Sequence, residues 1–140
     1  MRSLSLVAGM VLLACDAAVE RPSALHAGAL VYRATTLQGA PLLAGSLDLS
    51  YPDDSSVTGT WSITWDQGAD TSVPVGPQIG SGTLTGHRAG DSVYLDLSPA
   101  YADNNAMLLA QATLNGLTGR WQWSTIAGPQ AEGLFTAARQ

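Results

Sequence analysis

Few residues of this sequence belong to the types that carry out catalysis or bind metals. The 140 residues include one Cys, two His and no Lys, and six Arg stand against eleven acidic residues. His26 falls in a Pro-containing tether and His87 in a predicted turn, and we expect both side chains to be solvated. No Gly-x-Ser-x-Gly, His-Glu-x-x-His, phosphate-loop or dinucleotide motif occurs. We therefore expect a protein that is not an enzyme, with no cofactor and no bound metal.

Acidic and amide side chains gather in three predicted loops, residues 53–54, 66–70 and 99–106. The third segment is rich in the oxygen ligands that hard cations prefer, but it lacks the alternating acidic spacing of a calcium loop. Asp and Asn are also favoured in turns, because they hydrogen-bond their own backbone. We interpret all three segments as turns with solvated charge. Tyr101, in the third, would belong to a partner surface if it is exposed.

Four tryptophans are the remaining candidates for a site, and two interpretations of them stay open. They fall in two short segments as Trp61, Trp65, Trp121 and Trp123. A buried Trp fills a large apolar volume and finds a partner for its indole N–H, so all four could belong to the core. They could instead line a pocket for a small apolar ligand. Gly59, Gly82, Gly119 and Ala112 would leave space beside the rings.

Charge and cysteine content exclude several classes of function. The formal net charge is −5 and the sequence pI is about 4.6. Nucleic-acid binding needs clustered Lys and Arg to neutralise phosphates, so it is not expected. A single Cys allows neither an internal disulfide nor a Cys-rich zinc site. The length suits one domain with a core of ordinary size.

Two-residue alternation of apolar and polar side chains recurs from residue 28 onward, and no segment sustains a helical period. The strand at 57–65 places Val57, Trp61 and Ile63 on one side and Thr residues on the other. Gly, Pro, Asn and Asp separate the strands, and Asn115-Gly116 predicts a type I′ hairpin turn. We predict eight strands, at 29–37, 45–51, 57–65, 79–86, 91–97, 107–115, 117–125 and 131–138.

A faint internal repeat supports a sheet that closes on itself. Val57-Thr58-Gly59-Thr60-Trp61 and Leu117-Thr118-Gly119-Arg120-Trp121 are the same phrase in two halves of the chain. One face of each strand is apolar and the other polar, which is typical of a sheet folded around a single core. We predict an all-β fold, an eight-stranded antiparallel up-and-down meander closed into a small barrel. Closure leaves no exposed edge.

An outer-membrane barrel is the alternative architecture. Such a barrel turns its apolar side chains outward and rings them with aromatic residues. Here nine aromatic residues are too few for two rings, and the four Trp fall on two strands. We therefore favour a soluble domain.

The first fifteen residues have the order of an export signal, with Arg2 followed by a largely apolar stretch at 4–13. This stretch is shorter than the roughly 20 residues that a helix needs to cross a bilayer. Leu12-Leu13-Ala14-Cys15 resembles the lipobox of bacterial lipoproteins, position by position. The resemblance implies cleavage before Cys15, diacylglycerol on its thiol and acylation of the new amino terminus. It predicts a signal peptide at 1–14, a lipidated Cys and flexible tether at 15–27, and a barrel at 28–140.

The two Gly-x-Trp phrases resemble the calycin group, the lipocalins and avidins. In those families the Trp packs across one end of a small barrel and a late basic residue often covers it. Here Arg139 would take that position. Lipocalins carry the phrase on the first strand, whereas here it falls on the third and seventh, so the resemblance concerns architecture alone.

These observations predict a lipid-anchored protein of the bacterial cell envelope, on its periplasmic or surface face. The leading hypothesis is a non-catalytic structural or protein-interaction module with a filled barrel. The alternative is a carrier for a small apolar ligand bound by Trp61, Trp65, Trp121 and Trp123 at the barrel mouth. The predicted partners are the membrane, through lipid on Cys15, and an envelope protein or a small apolar ligand.

Overall fold

Eight antiparallel strands follow one another around a closed barrel in the computed structural model, which describes residues 25–140. Each strand pairs with the next in the chain, and β8 pairs back with β1. The strands are β1 (Gly28–Thr35), β2 (Pro41–Ser50), β3 (Ser56–Trp65), β4 (Gly80–Ala89), β5 (Ser92–Asp96), β6 (Asn104–Thr113), β7 (Gly116–Thr125) and β8 (Gly128–Ala138). The predicted all-β meander and its closure are confirmed.

Three strands begin at least three residues earlier than alternation predicts, β2 at Pro41, β6 at Asn104 and β8 at Gly128. In β2 the cause is a register shift, because Ala34 pairs with Leu43 while Thr35 pairs with Pro41. The extra residue, Leu42, lets two adjacent leucines both be buried. A bulge of this kind interrupts the two-residue period, so the start of β2 does not look like a strand in the sequence.

The predicted type I′ turn at Asn115-Gly116 is wrong. Thr113 pairs with Gly116, so the two turn residues are Leu114 and Asn115. No residue other than glycine has a positive φ in the described chain, whereas a type I′ turn needs positive φ at both central positions. Gly116 opens β7 with φ 145°, so it supplies the left-handed conformation one position later.

The barrel interior is filled by the inward side chains of all eight strands. Trp121, Tyr32, Leu47 and Leu108 are among the largest fully buried side chains, and Trp61 is 7 % exposed. The outward faces carry mostly Thr, Ser and charged side chains, as the alternation predicted. No helix in residues 25–140 is long and apolar enough to cross a membrane.

We call the end at which β1, β3, β5 and β7 finish the upper end. The long connection from β3 to β4, residues 66–79, folds over it and buries Val75 and Gln78. The Tyr32 hydroxyl donates to Oε1 of Gln78 at 3.2 Å, and Nε2 of Gln78 donates to the Val75 carbonyl at 2.7 Å. Burial raises the pKa of Tyr32 far above its usual range, so this hydroxyl stays a donor. The loop thereby closes the upper end with satisfied polar groups.

The opposite, lower end receives the N-terminal part of the described chain. Leu25 packs against the core, and Nε2 of His26 donates to the Leu114 carbonyl at 2.7 Å. His26 was expected to be solvated, but the barrel holds it. Tyr51 also packs here, with the Arg88 guanidinium 5.5 Å from its ring centroid. Cys15, the signal 1–14 and the tether up to residue 24 lie outside the described residues.

Candidate functional site

The two Gly-x-Trp phrases place one tryptophan in each half of the barrel interior. Trp61 of β3 pairs with Gly82 of β4, and Trp121 of β7 pairs with Gly133 of β8. Each ring lies directly against the glycine beside it. A Cβ on Gly82 would come 3.1 Å from Nε1 of Trp61, and a Cβ on Gly133 would overlap the Trp121 indole. The glycine on the neighbouring strand therefore makes room for the ring.

Each indole bridges a gap where the backbone ladder has ended. The β8–β1 pairing stops at Leu134↔Thr35, and Nε1 of Trp121 donates to the Thr35 carbonyl at 3.0 Å. The β4–β5 pairing stops at Thr85↔Asp96, and Nε1 of Trp61 donates to the Leu97 carbonyl at 2.8 Å. The two tryptophans thus hold the sheet closed at the upper end, at the two places where strands diverge.

The bridges follow the internal repeat of the sequence. Strands β1–β4 and β5–β8 each carry a buried tryptophan on their third strand. Trp61 in the first half bonds a carbonyl at the end of β5, and Trp121 in the second half bonds one at the end of β1. Each half therefore closes on the other. The repeated phrase has a structural role in both halves.

The other two tryptophans lie at the upper rim and are half-buried. Trp65 packs against the core beside Leu43 on β2. Nε1 of Trp123 donates to Oδ1 of Asn104 at 2.7 Å, and Gly76 of the β3–β4 loop lies on its ring. The four residues predicted as a ligand site therefore occupy two settings, two inside and two at the rim. Ligand binding by them stays a prediction.

Arg139 does not cover a tryptophan, so the covering position implied by the calycin resemblance is wrong. Its backbone N–H donates to the Asn115 carbonyl at 2.8 Å, and its guanidinium lies 3.5 Å from Nδ1 of His26. These contacts are at the lower end. The Trp121 indole instead bonds Thr35, the last residue of β1, which is at the upper end.

A groove of about 450 Å³ lies on the outer surface over β4–β7. Val93, Ala110 and Gly119 line part of it, together with Leu109, which is exposed. Two further surface cavities have volumes of about 290 and 400 Å³. No tryptophan lines any of these three. The alternation of apolar and polar residues does not predict such a groove, because the pattern identifies only which side chains point into the barrel.

Tyr94, which lines this groove, contacts two neighbouring side chains. The Tyr94 hydroxyl donates to the Met107 sulfur at 2.7 Å, and the Tyr94 ring stacks with His87 at 6.2 Å between centroids. Burial, with the Asp96 charge as a smaller cause, raises the pKa of Tyr94. The arrangement therefore offers apolar contact and a tyrosine hydroxyl at one place on the outer surface.

Two of the three acidic segments, 53–54 and 66–70, lie in turns, whereas residues 104–106 of the third segment belong to β6. Oδ1 of Asp53 accepts from the backbone N–H groups of Ser55 and Ser56 at 2.8 and 2.7 Å, which lowers the pKa of Asp53 to about 2. Oδ1 of Asp70 accepts from the Ser72 N–H at 3.0 Å and its hydroxyl at 2.6 Å. Within residues 25–140, no three His, Cys, Asp or Glu side chains come together as metal ligands would.

Residues 25–140 contain seven exposed large apolar side chains, of which Leu109 and Leu134 lie on outer strand faces and Leu114 (74 % exposed) lies in the β6–β7 turn at the lower end. The other four lie in loops at the upper end, namely Leu37 (42 % exposed), Ile79 (42 %), Tyr101 (65 %) and Ile126 (86 %). We call these four residues the apolar rim. Tyr101 is exposed, which is the condition under which the sequence assigned it to a partner surface. Leu37 and Ile79 fall at the ends of the strands predicted at 29–37 and 79–86 but lie in loops, and Ile126 lies in the β7–β8 turn.

No family model matches this chain, and comparisons with curated proteins and with solved structures found no significant match. The eight-stranded antiparallel barrel is consistent with a calycin-like architecture.

Proposed function

We propose that this chain is a lipid-anchored protein of the bacterial envelope whose barrel binds another protein and catalyses no reaction. The observation that carries the proposal is a filled interior combined with an apolar rim. Trp61 and Trp121 occupy the barrel and use their indole N–H groups on its own carbonyls. Exposed apolar side chains at one end are typical of protein contact surfaces.

The position of the N-terminus supports the direction in which the rim would face. Leu25 contacts the core at the lower end, ten positions after Cys15. Ten residues span at most about 36 Å when fully extended, so lipid on Cys15 would keep Leu25 and the lower end within that distance of the bilayer. The apolar rim, at the opposite end, would then point away from the membrane toward other envelope proteins.

Lipidation is tested by growing bacteria that produce the full chain with an alkyne-bearing fatty acid and then fractionating the cells. We expect the label on the protein and the protein in the membrane fraction. The Cys15→Ser variant removes the thiol that carries diacylglycerol, so it should lose the label and leave the membrane fraction. Equal labelling of both chains, or an unlabelled native chain, would contradict the anchor.

Protein binding by the upper end is tested with a photoreactive amino acid at position 101 in the same cells. The matched position is Thr60, an exposed outward residue in the middle of β3. We expect cross-linked products of discrete mass from position 101 and none from position 60. The same products from both positions, or none from either, would contradict a specific contact at the rim.

A further inference from the structure

The barrel leaves two strand edges unpaired at the upper end. Residues 80–84 of β4 have no β5 partner, because the pairing stops at Thr85↔Asp96. Residues 128–133 of β8 have no β1 partner, because that pairing stops at Leu134↔Thr35. The indole bridges cross behind both gaps but do not pair with the backbone of either edge. A strand edge of this kind can accept a strand from another chain.

Alternation of the ladder identifies which backbone groups of β4 are free. The Arg88 N–H donates to the Ser55 carbonyl, so even-numbered residues of β4 face β3. Odd-numbered residues face β5, and Ser81 and Thr83 lie above the last β5 pair. In residues 25–140, no hydrogen bond joins the N–H or C=O of Ser81 or Thr83 to that side. The N–H and C=O groups of Ser81 and Thr83 are therefore free to pair with an added strand.

The two edges differ in protection. The β8 edge carries Pro129, a register shift next to it, and Glu132 with Arg120 3.6 Å away. Proline, bulges and charge are the features by which proteins block strand addition. The β4 edge is Gly80-Ser81-Gly82-Thr83-Leu84 and has none of them. The unprotected edge is therefore a feature of the first half of the barrel, and the second half blocks the corresponding edge.

The surroundings of the β4 edge indicate the chemistry of its occupant. Ile79 precedes the edge and Tyr101 lies in the β5–β6 loop on the other side of the gap, and both are exposed. Residues 66–84 and 96–106 contain the carboxylates of Asp66, Asp70, Asp96 and Asp103, and no Arg or Lys. Arg33, on β1, pairs with one of these, Asp66, at 3.4 Å. The local surface is apolar at the edge and acidic around it.

We propose that the open edge of β4 binds an extended, uncharged segment of a partner protein, flanked by Lys or Arg, as an added β-strand. The segment would pair with the backbone of Ser81 and Thr83, and its apolar side chains would contact Ile79 and Tyr101. Strand addition uses main-chain hydrogen bonds for affinity and alternate side chains for specificity. This inference rests on the proposed protein-binding function and names the contact that performs it.

A second copy of this chain is the competing occupant, and charge argues against it. Two copies paired edge to edge would bring together two surfaces that both carry the carboxylates around this edge. The net charge of −5 adds to that repulsion. A basic partner is attracted by the same carboxylates, and weakly so at high salt.

The test uses the full chain in mild detergent and a fluorescent peptide, Lys-Val-Thr-Val-Thr-Val-Lys, followed by anisotropy. Two matched peptides replace the flanking Lys by Glu, or carry N-methyl groups on alternate residues along the edge that would face β4. The decisive variant is Thr83→Pro, which removes one free N–H and follows a glycine that tolerates the ring. Glu132→Pro makes the same change at the β8 edge and is the control.

We expect saturable binding of the Lys-flanked peptide, at least tenfold weaker for the Glu-flanked peptide and lost for the N-methylated one. Thr83→Pro should weaken binding at least tenfold while its circular dichroism stays native, and Glu132→Pro should leave it unchanged. Equal binding of all three peptides, or equal loss in both variants, would overturn strand addition at β4. So would a dimer, seen by light scattering, that Thr83→Pro dissociates.

The outcomes separate this inference from the proposed function. If the peptide does not bind while position 101 still gives discrete cross-links, strand addition is wrong and the protein-binding function stands. If neither the peptide nor the cross-links appear, both are wrong. Lipidation of Cys15 is scored in a different assay, so its failure would leave the result at the β4 edge intact.

Discussion

Replacing Gly133 with alanine tests the structural role of the repeated tryptophans most sharply. A Cβ at this position would overlap both the Trp121 indole and the Thr35 carbonyl, which are the two partners of the bridge. Gly82 is the equivalent position in the other half, and there a Cβ would lie 3.1–3.3 Å from the Trp61 ring. The same substitution therefore meets a backbone oxygen and a buried ring in one half, but only a tight ring contact in the other.

The expected losses of stability follow from these contacts. Overpacking a filled core costs about 1–3 kcal/mol. Displacing the Trp121 indole also breaks its hydrogen bond to Thr35, worth about 1 kcal/mol. Gly133→Ala should therefore lower the free energy of unfolding by about 2–4 kcal/mol. Gly82→Ala needs a shift of only a few tenths of an ångström and should cost less than about 1 kcal/mol.

Urea unfolding followed by tryptophan fluorescence and circular dichroism measures both values. At a slope of about 1.5 kcal/mol per M urea, a loss of about 3 kcal/mol lowers the midpoint by about 2 M. The Trp121→Phe background removes the indole nitrogen that the Cβ would overlap, so Gly133→Ala should cost about 1 kcal/mol less there. Equal losses for the two glycines, or strict additivity with Trp121→Phe, would refute the account of the bridge.

Two further predictions concern polar groups at the barrel ends. Tyr51→Phe should leave the free energy of unfolding unchanged or raise it, because the Tyr51 hydroxyl is buried without a hydrogen-bond partner. Tyr32→Phe should lower the free energy of unfolding by about 1–3 kcal/mol, because Oε1 of Gln78 loses its donor. A loss for Tyr51→Phe as large as that for Tyr32→Phe would contradict this assignment. The lowered pKa of Asp53 stabilises the fold above its unfolded pKa of about 4, and the contribution is lost as pH falls toward about 2. The difference in thermal midpoint between the native chain and Asp53→Asn should therefore shrink between pH 4 and 2, and a constant difference would be evidence against it.

The sequence predicts the strands because their chemistry is local. Val57, Trp61 and Ile63 alternate with Thr residues, and burial of one face follows directly from that period. The repeated Gly-x-Trp phrase likewise points to two equivalent halves. The sequence analysis misses the turn at Leu114-Asn115 because the turn lies one residue before the favoured Asn-Gly pair. Its position is set by the register between β6 and β7, which depends on how each of these strands pairs with its other neighbour.

The contacts that define the candidate site are not local, so the sequence could not give them. Trp121 and Thr35 are 86 positions apart, and Tyr32 meets Gln78 across 46. The open edge of β4 exists because β5 ends at Asp96, while β4 begins five residues before its last β5 pair. Strand lengths of this kind depend on how the barrel closes, and the residues of the edge carry no mark of it.

Mass spectrometry of the full chain, taken natively and after denaturation from the same detergent-purified sample, tests the central claim most directly. A lipid-anchored barrel with a filled interior predicts one mass in both conditions, that of residues 15–140 plus diacylglycerol and an acyl chain. A further mass that appears only in the native spectrum, and is absent in Trp121→Ala, would contradict the filled barrel and establish the carrier hypothesis instead. A denatured mass without lipid would contradict the anchor.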